Sequence, residues 1–337
     1  MKVISLFSGC GGLDLGFEQA SFDIVMANEF DKTIWDTYLF NHPNNFLVKG
    51  DVKNISNTFL KELKRKNGEI DGIIGGPPCQ SWSVAGSQKG IEDSRGQLFL
   101  EYIRILKTVQ PKFFLLENVK GMLSEKHFNS LSYFIGEFEK SGYEVKIELL
   151  SSDEFGIGQI RQRLVFVGFR KDLSIKYKFP VKTTAKKEEK ICLYDLIGDL
   201  DGKAVKTKAK NKHNEKSKNN HEYFVDSFSP VYLSRNRRKN WTQPAFTVQA
   251  SGRQCQLHPS SPKMIWNGKE FSFQKGKECL YRRMSVRECA RIQGFPDGFK
   301  FVYQNTDDAY KMIGNAVPVR FAYLLAKSIQ DAIERKE

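Results

Sequence analysis

Short apolar runs alternate with helical patterns through residues 1–172 of the chain. The runs VISLF, DIVMAN, GIIGG, KFFLLENV, VKIELL and LVFVGF are mostly continuous in apolar character, as strands buried on both faces are. Between them lie helical patterns such as GQLFLEYIRILKTVQ, whose apolar side chains share one face and which stops at Pro111. This alternation predicts an α/β fold with an open, mixed but mostly parallel, doubly wound sheet that binds ligands at the carboxyl ends of its strands.

The alternation stops after Arg170, and a basic segment follows. Residues 173–285 contain 24 Lys plus Arg against 10 Asp plus Glu, whereas the remaining residues contain 29 of each. One third of the chain therefore carries all of the net charge of +14, which favours a polyanionic partner, although a merely solvated basic surface is the alternative. The stretch 203–220, KAVKTKAKNKHNEKSKNN, has almost nothing to bury and is predicted to be a mobile loop or an insertion.

Helical patterns return after residue 285. In SVRECARIQGFP, Ser285 and Glu288 have the spacing of a capping box, and Gly294 followed by Pro296 ends the helix. A last helix follows GNAVPV, and its apolar stripe consists of Phe321, Leu324, Leu325, Ile329, Ala332 and Ile333. We therefore predict two domains: a catalytic domain of residues 1–172 completed by 286–337, and a smaller, irregular domain of residues 173–285.

Several classes of protein are disfavoured by composition. No apolar run approaches the roughly 18 residues that a membrane helix needs, and the start MKVISLFSG lacks a signal pattern, so we expect a soluble, cytoplasmic protein with no membrane partner. The six cysteines include no CxxC pair, which argues against a disulfide framework and against zinc. We expect reduced thiols and no metal.

A glycine-rich turn, FSGCGGLDLGF, joins the first strand to the first helix. Such a turn lets backbone N–H groups approach a ligand closely. Glu29 ends the second strand about 17 residues beyond Gly12, where a carboxylate can accept both hydroxyls of a ribose, and Asp51 in KGDV suits an adenine amino group. These features predict a nucleoside cofactor. NAD is the rival, but the turn has the order FxGxGG and no nearby lysine or histidine to serve hydride transfer or to clamp a phosphate.

The stretch GGPPCQSWS restricts the position of one thiol. Pro77 and Pro78 limit the backbone before Cys79, and a structural cysteine gains little from such restriction. The polar sequence that follows, with Gly86, Gly90 and Gly96, is typical of a loop that closes over an occupied site. The alternative, a small buried hydrophobic residue, fits the other cysteines better.

Other strand ends supply partners for this thiol. LLENV places Glu117 at the end of a later strand, and GQIRQRLVF places Arg161 and Arg163 beside another. A thiol, a carboxyl and an arginine beside a methyl donor suit addition to C6 of a pyrimidine, which makes C5 nucleophilic. Glu117 would bond N3 and the amino group of a cytosine, and Arg163 would bond its O2.

Nine motifs resemble, in order and spacing, those of the DNA (cytosine-5-)-methyltransferase family. They are FSGCGGLDLGF, NEF, GDV, GGPPCQSWS, DSRGQLF, ENVKG, GQIRQRLVFVGFR, SVRECARIQGFPD and MIGNAVPV, within residues 3–319. The resemblance implies S-adenosylmethionine as cofactor, duplex DNA as substrate, an extruded cytosine and a covalent cysteine adduct. It implies that Cys79 is the nucleophile, Glu117 the N3 partner, and Arg161 and Arg163 pocket residues.

The same resemblance implies a cofactor site and a DNA interface. The residues around the cofactor would be Phe7, Gly9, Cys10, Gly11, Gly12, Glu29, Phe30, Asp51, Val52, Leu98, Asn315 and Val317. Cys10 departs from many relatives, which have another residue there. The basic segment lies where the family has its variable target-recognition domain, and most of its lysines are expected to contact phosphates.

Three arginines of the basic segment differ from its lysines. Arg235, Arg237 and Arg253 lie among aromatic and turn residues that could hold them for bidentate recognition of guanine, the alternative being phosphate contact alone. Ser81 is predicted as a further DNA contact. Residues 221–259 resemble the recognition region of the bacterial subgroup that modifies the inner cytosine of GGCC, which implies a restriction-modification system.

Three rival functions remain open on the sequence. The first is a tRNA cytosine methyltransferase with the same motifs, the second a DNA-binding protein with an inactive core, and the third an amino-methylating enzyme, which needs no such thiol. The basic segment favours DNA, and the intact motifs favour activity. We expect a monomer that acts on nucleoid DNA, and a cognate restriction endonuclease that shares the site without binding this chain.

Overall fold

A seven-stranded sheet forms the centre of the computed structural model, which describes residues 1–78, 97–228, 232 and 235–335. The strand order is β3-β2-β1-β4-β5-β7-β6. The strands are β1 (Lys2–Leu6), β2 (Asp23–Glu29), β3 (Leu47–Lys49), β4 (Gly72–Gly75), β5 (Phe113–Val119), β6 (Tyr143–Ser151) and β7 (Gln162–Arg170). The first five run parallel, and β7 pairs antiparallel with both β5 and β6. The predicted mixed, mostly parallel sheet is confirmed.

Helices cover both faces of this sheet. Those described are α1 (Gly12–Gln19), α2 (Trp35–Asn41), α3 (Asn57–Asn67), α4 (Gln97–Val109), α5 (Phe128–Lys140), α6 (Leu193–Ile197), α7 (Val286–Ile292), α8 (Thr306–Asn315) and α9 (Val319–Glu334). Side chains of α1 and α9 pack on one face, while α3, α4 and α5 pack on the other. The two apolar cores are those of a doubly wound fold. Among the described residues, no helix has the length and apolar character that crossing a membrane requires.

Helix α9 returns to the sheet beside α1. Its predicted stripe is confirmed, since Phe321, Leu325 and Ile329 are fully buried and Ile333 is nearly so. The two helices approach closely because Gly16 has no side chain, and a Cβ there would lie 2.6 Å from the carbonyl oxygen of Val319. The start and the end of the described chain therefore build one face together.

Helix α7 begins with the predicted capping box. The Ser285 hydroxyl accepts a hydrogen bond from the Glu288 N–H at 3.1 Å, and the Glu288 carboxylate accepts one from the Ser285 N–H at 2.8 Å. Gly294 follows the helix with a φ of 81°, in the left-handed region that favours glycine. Both predicted ends of this helix are confirmed.

Residues 173–285, named the recognition segment after their predicted role, are largely irregular. They contain the short pairs β8 (Val205–Lys206) with β9 (Glu222–Tyr223), and β10 (Ile265–Trp266) with β11 (Phe271–Ser272). Some of their apolar side chains, Ala245 and Val248 among them, pack in one cluster with residues of α7 and α8, and a smaller cluster around Tyr232, Leu257 and Tyr281 lies within the segment itself. The domain boundaries at 172 and 286 stay a prediction.

The stretch 203–220 differs from its prediction as a mobile loop. Its start forms β8, and the Thr207 hydroxyl donates to the buried side chain of Asn211 at 3.0 Å. Its end is held by the buried guanidinium of Arg287, whose Nε donates to the carbonyl oxygen of Asn219 at 2.9 Å. Polar side chains therefore attach both ends of this stretch, and a count of apolar residues does not detect them.

Two strands also depart from the predicted pattern. Strand β6 was expected to be buried on both faces, but it is the outermost strand and its side chains alternate in exposure, as at an antiparallel edge. Strand β3 has three residues and was absent from the predicted apolar runs. An edge position requires less apolar sequence than a central one.

Candidate functional site

The predicted site residues gather at one edge of the sheet. Strands β1, β2, β4 and β5 are parallel, so their carboxyl ends meet there. β1 leads into the glycine-rich turn, β2 ends at Glu29, β4 leads to Gly76, and Glu117 lies near the end of β5. The sheet thus brings the predicted cofactor residues and the predicted catalytic carboxyl to a common edge, which is named the crevice below.

One side of the glycine-rich turn, residues 7–12, is packed tightly against other parts of the chain. Phe7, Gly9 and Gly11 have φ values of 56°, 57° and 89°. A Cβ on Gly11 would overlap the imidazole of His42, and one on Gly12 would lie 2.7 Å from the carbonyl oxygen of Val317. Because the turn has no space for side chains at these positions, its main chain can lie against a ligand on the open side.

Each oxygen of the Glu29 carboxylate already accepts one hydrogen bond from the backbone. Its Oε2 accepts a hydrogen bond from the Gly9 N–H at 2.9 Å, and its Oε1 accepts one from the Asp31 N–H at 2.7 Å. The side chain is buried, and burial raises its pKa despite these hydrogen bonds. A carboxylate offers about four lone-pair sites, so both oxygens can still accept a hydroxyl each. These features fit the ribose of a nucleoside.

Next to Glu29, the side chain of Phe30 is 71% exposed, which leaves an aromatic surface for a base. Asp51 follows β3, and its Oδ1 accepts a hydrogen bond from the Lys53 N–H at 2.9 Å, so it caps a short turn. Val52 is buried, and Leu98 is half-buried in the first turn of α4. These four residues lie at the ends of successive parallel strands or in the helix that follows β4.

The remaining predicted cofactor residues lie on the side of α8 and α9. Asn315 is exposed at the end of α8, and Val317 is buried beneath the glycine-rich turn. The Cys10 thiol is buried and donates to the carbonyl oxygen of Met312 at 3.5 Å. Burial raises its pKa, so Cys10 serves packing through its side chain and can meet a ligand through its backbone.

Glu117 and Arg163 form an ion pair in the crevice. The Arg163 Nε lies 2.7 Å from Glu117 Oε1, and only 14% and 10% of the two side chains are exposed. This contact lacks the alignment of a hydrogen bond, and within the described residues the buried Oε1 has no hydrogen-bond partner. The carboxyl therefore keeps hydrogen-bonding capacity for a ligand.

The proline-containing stretch lies against this carboxyl. A Cβ on Gly76 would be 3.3 Å from Glu117 Oε2, and the Asn118 side chain donates to the carbonyl oxygen of Pro77 at 3.2 Å. Cys79 and Ser81 lie outside the described residues, so their predicted roles stay predictions. Their chain leaves the described part of the molecule at Pro78, beside Glu117.

Arg161 lies in a different setting from Arg163. Its guanidinium is buried, and its Nη2 donates to the carbonyl oxygens of Gly314 and Ala316 at 2.9 and 3.1 Å. Its Nη1 donates to the Val248 carbonyl oxygen at 3.5 Å. These contacts join the end of α8 to the recognition segment, and the predicted catalytic role of Arg161 stays a prediction.

Two buried glutamines beside Arg161 were missed by the sequence reasoning. The Gln159 amide donates to Gln293 Oε1 at 2.7 Å and accepts from the Val248 N–H at 2.8 Å. The Gln293 amide donates to the carbonyl oxygen of Ile313 at 2.6 Å. A glutamine inside the apolar pattern of SVRECARIQGF was the available signal, because a polar side chain predicted to be buried needs partners.

The three predicted DNA-contacting arginines differ in how firmly they are held. The Arg237 Nε donates to the Tyr232 carbonyl oxygen at 3.0 Å, and the guanidinium lies 5.2 Å from the centre of the Tyr232 ring. Arg235 and Arg253 are exposed. The turn before Arg253 is fixed by a hydrogen bond from the Gly252 N–H to Asp307 Oδ1 at 2.7 Å. Arg237 is thus presented with a fixed orientation, as bidentate recognition requires.

Arg283, which was not predicted as a site residue, supports the chain around residues 227 and 228. It is buried, its guanidinium lies 3.7 Å from the centre of the Phe228 ring, and its Nη2 donates to the Ser227 carbonyl oxygen at 3.0 Å.

Among the described residues, no group of three or more His, Cys, Asp or Glu side chains could hold a metal ion.

Comparisons with known proteins agree over the length of the chain. The family model described as C-5 cytosine-specific DNA methylase matches residues 1–331. The chain is 56% identical over 336 residues to the type II methyltransferase M.NgoPII of Neisseria gonorrhoeae, covering 99% of this chain and 97% of the relative. It is also 56% identical over 341 residues to the type II methyltransferase M.FnuDI of Fusobacterium nucleatum, covering 100% and 96%.

The fold has a counterpart among solved structures. A crystal structure assigned to a DNA modification methyltransferase encoded within an E. coli prophage superposes with a TM-score of 0.76. It covers 99% of both chains at 24% sequence identity.

Proposed function

Because the chain belongs to the C-5 cytosine-specific DNA methylase family and is a cytosine methyltransferase of the type II restriction-modification kind, we propose the details of its reaction as follows. It transfers a methyl group from S-adenosylmethionine to C5 of a cytosine extruded from duplex DNA, through a transient bond between Cys79 and C6. The observation that carries this proposal is the Glu117–Arg163 ion pair beside the proline-containing stretch that leads to Cys79.

The ion pair supplies what cytosine needs to accept a nucleophile. Glu117, protonated, would donate to N3 and accept from the exocyclic amino group, and Arg163 would donate to O2. When the Cys79 thiolate adds to C6, the C5–C6 π electrons become available at C5, and the proton at N3 neutralises the charge that develops in the ring. The buried position of both side chains strengthens these hydrogen bonds.

The cofactor, when bound, supplies an electrophilic methyl group on a sulfonium. C5 would take this methyl group, and the bonding electrons would stay on the sulfur of the cofactor. Loss of the C5 proton to water would then restore the C5–C6 double bond and expel the Cys79 thiolate, and the N3 proton would return to Glu117. Bond making and breaking balance without a metal or a redox partner. The buried carboxylate of Glu29 would accept the ribose hydroxyls, and the glycine-rich turn would hold the cofactor against its backbone.

The proposed target is the inner cytosine of GGCC. Two adjacent guanines call for bidentate donors, and Arg235, Arg237 and Arg253 are the candidates, with Ser81 as a further contact. The support is the orientation of Arg237 by Tyr232 and the resemblance of residues 221–259 to the subgroup with that target. A restriction endonuclease with the same target would be the expected companion in the cell.

A trapping experiment tests the chemistry and the target together. A duplex with 5-fluorocytosine as the inner cytosine of GGCC should give a protein–DNA adduct that survives denaturation and requires S-adenosylmethionine, because fluorine cannot leave C5 as the proton does. A duplex with the fluorine on the outer cytosine is the matched control and should give none.

Substitution of the nucleophile completes this test. Cys79→Ser should abolish both adduct and methyl transfer while the affinity for duplex DNA remains within about threefold. Methyl transfer by this variant would refute the covalent route. Bisulfite sequencing of DNA methylated by the wild-type protein would refute the GGCC assignment if another site were modified, and preferential transfer to tRNA would refute the DNA substrate.

A further inference from the structure

A two-stranded hairpin in the recognition segment is exposed along its first strand and its turn, whereas residues 271–274 are half-buried. We name residues 263–277, which contain β10 and β11, the hairpin arm. Ile265 and Trp266 are 49% and 53% exposed. The arm also presents four exposed lysines: Lys263, Lys269, Lys275 and Lys277. Within the described ranges, none of these lysines forms an ion pair with an acidic side chain.

The hairpin arm is exposed, but its base is well fixed. The Tyr281 hydroxyl donates to the Lys263 carbonyl oxygen at 3.1 Å and accepts from the Gln274 N–H at 3.0 Å. The rings of Tyr281 and Phe273 stack with centres 4.2 Å apart. At the turn, Asn267 Oδ1 accepts from the backbone N–H groups of residues 269 and 270 at 2.9 and 2.8 Å. The exposed apolar side chains are therefore held in place on a rigid support.

The same support holds Arg237, one of the three predicted DNA-contacting arginines. The Arg237 N–H donates to Met264 Sδ at 3.3 Å, at the start of the hairpin arm. The Phe228 ring lies 4.7 Å from the Tyr232 ring, which holds Arg237, and 5.0 Å from the Phe273 ring, which belongs to the arm. A small apolar cluster thus joins the arm and the arginine segment into one unit.

We propose that the hairpin arm binds duplex DNA that flanks the target sequence. This inference rests on the proposed function and extends it to base pairs outside GGCC. Four lysines without acidic partners match the phosphate backbone, and charge complementarity favours DNA over a second copy of this basic chain. Trp266 and Ile265 would pack against the sugars between those phosphates. The arm would add affinity without adding sequence information, since phosphates carry none.

Two duplexes of different length separate this role from target recognition. One contains GGCC with about three flanking base pairs on each side, and the other extends the flanks to about ten. The Lys269→Gln/Lys275→Gln variant should bind the long duplex about 5- to 20-fold more weakly than wild type at low salt. The slope of log affinity against log salt concentration should become shallower by about 0.9 for each phosphate that the variant no longer neutralises. Binding of the short duplex should change less than twofold.

Matched controls distinguish the possible outcomes. The Lys61→Gln/Lys66→Gln variant removes the same charge from α3 and should leave both affinities unchanged. If it lost as much affinity as the arm variant, the loss would follow from net charge alone, and the proposed role of the hairpin arm would be refuted. Trp266→Ala should weaken only the long-duplex complex, without altering the salt slope. Equal losses on short and long duplexes, or no loss on either, would also refute the proposal.

The proposed function is measured separately in the same experiment. Methyl transfer to the short duplex by wild-type protein reports the function alone, and the arm variant should retain it. If wild type transfers no methyl group, the proposed function fails, and the length dependence of binding still decides whether the arm holds flanking DNA. Concentration-dependent dimers that disappear in Trp266→Ala, with no length dependence of DNA binding, would overturn the proposal in favour of a second copy of the chain.

Discussion

Glu117 and Gly11 show how single residues set the chemistry and the shape of the crevice. Glu117 has a buried oxygen whose hydrogen-bonding capacity is unused by the described residues, although an arginine lies 2.7 Å away. Such an arrangement is costly unless a ligand completes it. At Gly11 the available space is already filled, since nothing larger than hydrogen fits between its backbone and His42.

Glu117→Gln should reduce turnover by about 10²- to 10⁴-fold, because glutamine cannot supply the proton at N3 when sulfur adds to the ring. Affinity for target DNA should stay within about threefold of wild type, since the amide retains the size of the carboxyl. Glu125→Gln, an exposed carboxylate beyond the end of β5, is the control and should leave turnover unchanged. Single-turnover methyl transfer measures the effect, and full activity of Glu117→Gln would contradict the assigned role.

Gly11→Ala should destabilise the protein more than Gly9→Ala does. Both glycines have positive φ, so each substitution carries a strain of about 1 kcal/mol. At Gly9 the new methyl group would meet no atom of the described residues within 4 Å, whereas at Gly11 it would overlap His42. Urea unfolding should show about 2 kcal/mol or more of additional loss for Gly11→Ala. Equal losses would mean that the turn can shift away from His42.

The elements differ in how much of them the sequence could predict. The central strands and α9 were predictable, because continuous apolar runs and a 3.6-residue stripe follow directly from burial. Helix α7 was predictable from its capping box. The attachment of residues 203–220 was not, because it depends on Arg287, and sequence spacing does not indicate which distant carbonyl groups a buried guanidinium will reach. For Glu117 and Arg163, the sequence predicted a position at the same edge of the sheet but not their ion pair.

Helix α7 also carries a buried charge network. Its Glu288 is fully buried, and although burial alone would raise its pKa, hydrogen bonds from Arg282 at 2.8 Å lower it. His258 lies beside this carboxylate, with Nε2 3.5 Å from Glu288 Oε1, and its Nδ1 accepts from the Ser260 N–H. Burial lowers the pKa of His258 to about 4.

The buried His258 should make stability depend on pH between about 6.5 and 4. In this range the unfolded chain binds a proton at this residue that the folded protein does not bind, so the free energy of unfolding falls as pH falls. The loss attributable to His258 should reach about 3 kcal/mol. His258→Gln should flatten this part of the profile, measured by urea unfolding at several pH values. A variant with the wild-type slope would show that other groups cause the dependence.

On the scale of the whole molecule, the crevice is assembled from parts of the chain that are far apart in sequence. Val317 supports the glycine-rich turn, α9 packs against α1, and Arg161 joins the end of α8 to the recognition segment. The sequence indicated each part through its motif. It could not indicate that the core of the recognition segment would be shared with α7 and α8, since the pairing of irregular segments depends on packing and not on periodicity.

Phe321→Ala should lower the free energy of unfolding by about 3 to 5 kcal/mol, because it leaves a cavity between α9 and the sheet. Affinity for S-adenosylmethionine should fall as well, since α9 and the residues before it support the glycine-rich turn. Glu334→Ala, at the exposed end of the same helix, should change stability by less than about 0.5 kcal/mol. Urea unfolding measures the change in stability, and calorimetry measures the affinity for the cofactor. If the folded variant bound the cofactor as tightly as wild type, α9 would not be needed to support the turn.

The packing of α9 against α1 has a consequence for biosynthesis. The backbone that supports the glycine-rich turn is translated some 300 residues after the turn itself. The nascent polypeptide can therefore expose its basic, DNA-attracting middle before the other end is able to seat a methyl donor. Binding of the cofactor would therefore wait until residues 317–334 dock against the turn and α1.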